Sequence, residues 1–189
     1  MPMIRREVVY FDKPGSENTD ETLKAARARL EELGIRYMVV ASTRGYTAFR
    51  ALDILGDLRD RVDLIVVTHA GAVEYRVEDL EKLRSSWARI LTCPHTLGWT
   101  VGDSFRSRYG GGFTVERIVA DALRRFSEGM KVAVEIVLMA TDAGLIPPGV
   151  DVVSVAGTAS GADTAIIVTS AYSREFFKLK VREIIAMPR

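Results

Sequence analysis

Two segments of the chain end an apolar run in a cluster of hydroxyls and glycine. These are Ser42-Thr43-Arg44-Gly45-Tyr46-Thr47, after Val39-Val40-Ala41, and Gly157-Thr158-Ala159-Ser160-Gly161-Ala162-Asp163-Thr164, after Val152 to Ala156. Such loops suit an anion, because glycine lets a ligand approach the main chain and the strand end leaves N–H groups unpaired. The first loop runs into a helical segment, Thr47 to Leu55, whose positive dipole end adds to the attraction. The second runs into the strand-like Thr164 to Thr169, so its amides would form a nest instead. Ordinary turns collect the same residue types, so the two loops together carry the argument. The expected ligand-binding set is Ser42, Thr43, Arg44, Gly45, Tyr46, Thr47, Gly157, Thr158, Ser160, Gly161, Asp163 and Thr164. Gly45→Val is expected to abolish ligand retention while sparing the fold.

His69 follows Val66-Val67-Thr68 and His95 follows Cys93-Pro94. Each reads either as a ligand-facing donor or acid–base group, or as a cap on a strand end. Two histidines with no carboxylate pattern beside them give no expectation of a metal site. Glu135, among apolar neighbours, reads as a desolvated acid or base with a raised pKa, or as the partner of Lys131 four residues earlier; the pair is favoured. Arg106 and Arg108 read as a lid over an anion or as a solvated basic loop. Trp99 is the better of the two tryptophans for ring stacking. Cys93, the single cysteine, reads as a small packed thiol.

The elements that must position these groups alternate strand-length apolar runs with segments of helical period, the pattern of a parallel sheet covered on both faces. The expected strands are Glu7 to Phe11, Tyr37 to Ala41, Asp63 to Thr68, Ala88 to Thr92, Asp151 to Ala156 and Thr164 to Thr169, with a final edge strand within Phe176 to Ala186. The expected helices begin at Asn18, as N-cap of a capping box with Glu21, with a buried stripe of Leu23, Ala26, Leu30 and Leu33 closed by Gly34. They continue with Thr47 to Leu58, Val77 to Trp87, Val115 to Phe126 and Lys131 to Ala143, the last apolar nearly all round and therefore buried. Pro94 to Phe113, with its glycines, reads as a long loop. Loops 12–19, 42–47, 68–76, 93–113 and 157–163 should then share the rim at the carboxyl ends of the strands. With 189 residues and 48% hydrophobic content, one α/β domain spanning 1–189 is expected, a three-layer αβα sandwich with a mostly parallel sheet and an antiparallel edge near the C-terminus.

A net charge of +1 gives no global field for nucleic acid or an anionic membrane, and no apolar stretch is long enough to span a bilayer. A cytoplasmic protein is expected. Asn18 is the only asparagine, glutamine is absent and arginine outnumbers lysine, which points to a thermophilic source.

With strand, hydroxyl loop and helix at Tyr37 to Leu55, this segment resembles the C-terminal α/β domain of pyruvate kinase, where a Ser/Thr-rich loop binds the phosphate of a sugar bisphosphate effector. The whole chain resembles the stand-alone archaeal and bacterial proteins of that superfamily. The likeness rests on Lys13-Pro14-Gly15 with Asn18-Thr19, Val40-Ala41-Ser42-Thr43, Thr68-His69, Val134-Glu135 with Asp142-Ala143-Gly144-Leu145, Gly157-Thr158 with Gly161-Ala162-Asp163-Thr164, and Met187-Pro188-Arg189. It implies a phosphate-bearing small molecule, with flavin mononucleotide (FMN) the candidate. Lys13, Asn18, Thr68, His69, His95 and Glu135 are secondary candidates for the site. The resemblance also implies an alternative, a non-catalytic sensor of a sugar phosphate or nucleotide signalling through a homo-oligomer. The tryptophan and arginine of the pyruvate kinase effector loop are replaced here by Thr158 to Thr164, which argues against fructose bisphosphate. Pyruvate kinase activity itself is not expected, since its catalytic groups belong to a separate barrel domain.

Overall fold

The computed structural model describes residues 3–69 and 74–189. Among them seven strands form one sheet in the order β1-β7-β6-β5-β2-β3-β4. The strands are β1 (Val9–Phe11), β2 (Tyr37–Ala41), β3 (Asp63–His69), β4 (Arg89–Cys93), β5 (Asp151–Ala156), β6 (Thr164–Thr169) and β7 (Lys180–Pro188). β5, β2, β3 and β4 run parallel, β6 is antiparallel to both of its neighbours, and β1 lies parallel to β7. The expected C-terminal edge strand is thus not at the edge. β1 lies outside it, and its three residues form a short rim strand that leaves little unpaired backbone to recruit another chain.

The helices are α1 (Thr19–Leu33), α2 (Tyr46–Ile54), α3 (Val77–Arg84), α4 (Val101–Tyr109), α5 (Val115–Leu123) and α6 (Glu128–Asp142). Strand alternation sorts the core into two layers. Met38, Val40, Leu64, Val66, Val153 and Ile167 face α1, α2 and α3. Val39, Ile65, Val67, Val152, Ile166 and Val168 face α6. Residues 129–141 of α6 are buried except Val132, as its apolar circumference requires. Gly129 lets the first turn of this helix approach β6, because a Cβ there would lie 2.3 Å from the Thr164 hydroxyl oxygen.

Three expectations are corrected. Asn18 does not cap α1 through its side chain: a 3-10 turn, Ser16–Asn18, precedes the helix, and the Asn18 amide donates to the Lys13 carbonyl at 2.7 Å. Leu33 is exposed although it continues the spacing of Leu23, Ala26 and Leu30, because it is the last residue of α1, which Gly34 ends in the left-handed conformation at φ 63°. The region 94–113 is not all loop. Thr100 and Asp103 form a capping box that starts α4, a helix with no buried residue, between Gly98 and Gly110-Gly111-Gly112.

Candidate functional site

At the carboxyl ends of β2, β3 and β5 the chain encloses a cavity of about 300 Å³. One wall is the β2–α2 loop. The buried Ser42 is fixed through its amide to the Val67 carbonyl at 3.0 Å, and its carbonyl accepts the Tyr75 hydroxyl at 3.0 Å. Its hydroxyl accepts from the Ala48 amide at 3.3 Å, closing one donor in the first turn of α2. The amides of Tyr46 and Thr47 precede any carbonyl they could reach within the helix. Ser42, Thr43, Arg44, Tyr46 and Thr47 all line the cavity. Gly45 holds the turn at φ 98°, and a Cβ there would lie 2.9 Å from the Phe49 ring. The expectation that valine at this position spares the fold is therefore wrong, on backbone conformation as well as space.

The opposite wall is the β5–β6 loop, on the same end of the sheet because β5 is parallel to β2. Gly157, Ser160 and Gly161 line the cavity together with Ala159, which sits in the left-handed region at φ 59°. Thr158, Asp163 and Thr164 are not among the lining residues. Asp163 is fully buried and its Oδ2 accepts from the Thr158 amide at 3.1 Å and the Gly15 amide at 3.2 Å, while Oδ1 accepts from the Thr164 hydroxyl at 2.8 Å. The anion held by these amides is the chain's own carboxylate. Lys13 and Asn18, joined by the Asn18 side-chain amide to the Lys13 carbonyl, do not line the cavity.

Thr68, His69 and His95, at the ends of β3 and β4, form the third wall. The His69, His95 and Trp99 rings meet in a triangle with centroids 5.3–5.4 Å apart. Thr68 Oγ1 and His69 Nδ1 are buried and have no hydrogen-bond partner among the described residues. Residues 70–73 of the expected 68–76 loop lie outside the described residues. The floor is α6. Lys131 Nζ donates to Glu135 Oε2 at 2.6 Å, as the i, i+4 spacing predicts, but the same oxygen also lies 2.8 Å from His95 Nδ1. Burial pushes the Glu135 carboxyl up. The hydrogen bond to His95, followed by the charge of Lys131, outweighs it and holds the group below its ordinary value, so burial does not raise this carboxyl. Burial, followed by the negative charges of Asp142 and Glu135, pushes the Cys93 thiol up, which keeps it a poor nucleophile.

Sequence reasoning passed over Arg117 and Arg124, one α5 face and its C-cap, which line the cavity with Arg44 and Lys131. Their spacing of seven places them on one side of the helix, a signal present in the sequence. Arg124 is held by Glu128 at 2.8 Å and Asp121 at 2.8 Å. Val67, Leu97, Val132, Ile136 and Met139 supply apolar surface between the charged groups. Arg106 and Arg108 are exposed on α4 and do not line the cavity.

Residues 20–168, from the first turn of α1 to the penultimate residue of β6, match the family described as pyruvate kinase, alpha/beta domain. The chain belongs to that family. In this pyruvate kinase alpha/beta domain the match contains α1 to α6, β2 to β6 and thus every wall of the cavity, whereas β1 and β7 flank it. No helix of the described residues is long and apolar enough to cross a membrane.

Proposed function

We propose that the cavity binds a phosphate-bearing small molecule, with FMN the best candidate. The observation that carries this is the convergence on one cavity of the start of α2, the Ser42–Thr47 hydroxyls and the basic side chains of Arg44, Arg117, Arg124 and Lys131. A phosphate would take the amides and hydroxyls of the β2–α2 loop, with Arg44 able to exchange its exposed partner Glu74 for the ligand. The apolar surface of Val67, Ile136 and Met139 and the rings of His69, His95 and Trp99 suit a flat polar ring beyond the phosphate. Family membership supports a second reading, an effector module for a sugar phosphate or nucleotide, in which only the phosphate cradle matters. Calorimetric titration with FMN, riboflavin and inorganic phosphate tests both. FMN binding well above riboflavin supports the flavin phosphate; binding of sugar phosphates without FMN selects the effector module; equal binding of FMN and riboflavin removes the phosphate loop from the site.

A further inference from the structure

Glu135 is fully buried, and its carboxylate does more than neutralise Lys131. Oε1 accepts from the Leu97 amide at 2.7 Å, and Oε2 takes both Lys131 Nζ and the imidazole of His95. With an ammonium and a backbone donor already on it, this carboxyl is an acceptor only, so His95 Nδ1 must carry the hydrogen. In the neutral ring Nε2 is then a bare lone pair. The hydrogen bond that holds the ring runs through Nδ1 to Glu135, which leaves Nε2 on the opposite edge of an imidazole that lines the cavity. His69 and Trp99, each 5.3–5.4 Å away, restrict rotation of the His95 ring. A buried carboxylate, an imidazole held by one nitrogen and a second nitrogen open to a ligand cavity form an oriented base.

We propose that His95 is a general base of this cavity, positioned by Glu135, and that it takes a proton from the part of a phosphate ester lying beyond its phosphate group. The proposal rests on the phosphate reading above. Its substrate class is a phosphate ester bearing an acidic O–H, N–H or C–H bond. In the step, the Nε2 lone pair forms an N–H bond while that ligand bond breaks and its electron pair stays on the ligand atom. The imidazolium formed faces the Glu135 carboxylate through Nδ1–H. Return of the proton to the same or a neighbouring ligand atom restores the ring, so no further reactant is consumed. Lys131 acts at one remove, keeping Glu135 ionised.

The chain has two histidines, so a His69→Gln variant assigns both imidazoles. Nitrogen NMR of the wild-type protein, recorded at a pH where the imidazole is neutral, should show the hydrogen of His95 on Nδ1; a neutral ring with hydrogen on Nε2 overturns the proposal, whether or not Glu135 variants fold. Carbethoxylation by diethyl pyrocarbonate reads the open nitrogen. His95 should react roughly tenfold or more faster in the wild-type protein than in Glu135→Gln, the scale on which orienting partners act; equal rates in a folded variant overturn the positioning role. FMN should protect His95 and inorganic phosphate should not. FMN bound with His95 unprotected overturns the proposal, whereas a fast, Glu135-dependent reaction with neither probe bound supports the oriented base and overturns the phosphate reading instead.

Discussion

Asp163 Oδ2 accepts a hydrogen bond from the amide of Gly15, 148 positions away in the chain. The same carboxylate holds the Thr158 amide and the Thr164 hydroxyl, so one buried side chain ties the segment after β1 to the cavity wall after β5. Asp163→Ala would leave two backbone donors and a hydroxyl without their acceptor. Unfolding in urea should show a loss of about 2–4 kcal/mol. A loss below about 1 kcal/mol would show that water replaces the clamp.

Thr47→Ala should weaken binding of the phosphate ligand by about 1–2 kcal/mol, the worth of a hydrogen bond to a charged group. Arg44→Ala should weaken it comparably and change unfolding by less than about 0.5 kcal/mol, since the side chain is 70% exposed and its pair with Glu74 lies at the surface. Calorimetry and denaturation on the same two proteins check both statements. Unchanged affinity in the pair would exclude the β2–α2 loop. Gly45→Val is unsuitable for this purpose, because its cost at φ 98° falls on the fold itself.

Glu135 also sets an acid limit. Its carboxyl is pushed up by burial and pulled further down by the His95 hydrogen bond and the Lys131 ammonium, so it lies below the ordinary value of 4.5. A depressed carboxyl contributes its stability in full above the unfolded value and loses it as pH falls through the folded value. Melting temperature should therefore drop as pH falls below about 4.5, and Glu135→Gln should flatten that drop. Parallel curves for the two proteins would contradict it.

Trp99 is 69% exposed and stands 5.3 Å from both histidine rings at the cavity, whereas Trp87 packs against the α1–α3 side of the sheet. Ligand binding should quench tryptophan emission in Trp87→Phe as in the wild-type protein. It should leave emission unchanged in Trp99→Phe. On the adjoining α4, Phe105→Ser should alter stability by less than about 0.5 kcal/mol, because nothing on that helix is buried.

The central strands and α6 were readable in the sequence because burial imposes their composition: β-branched runs for Tyr37–Ala41 and Asp63–His69, an apolar circumference for Glu128–Asp142. α4 was not, since its glycine flanks outweigh a polar, unburied helix whose only local marker is the Thr100–Asp103 capping box. The β2–α2 loop was legible as a local motif with its own chemistry. The His95–Glu135 contact was not, because it joins residues 40 positions apart where the segment after β4 meets α6 and leaves no local spacing to detect. Asp163 misled for the opposite reason. An acidic residue in a glycine and hydroxyl loop has the same composition whether its carboxylate faces a ligand or fills the loop itself.

The two long walls of the cavity sit on neighbouring strands of the sheet, β2 and β5, yet α3 to α6 separate them along the chain. More than a hundred residues separate the two loops, so the cavity exists only when β5 is docked beside β2, a non-local pairing. A ligand that needs both walls has no site in forms that separate β2 from β5, so its free energy opposes every opening that breaks this pairing. At a hundredfold excess over its Kd that amounts to about 2.7 kcal/mol, spread over amides in β2 and β5 that the ligand never touches.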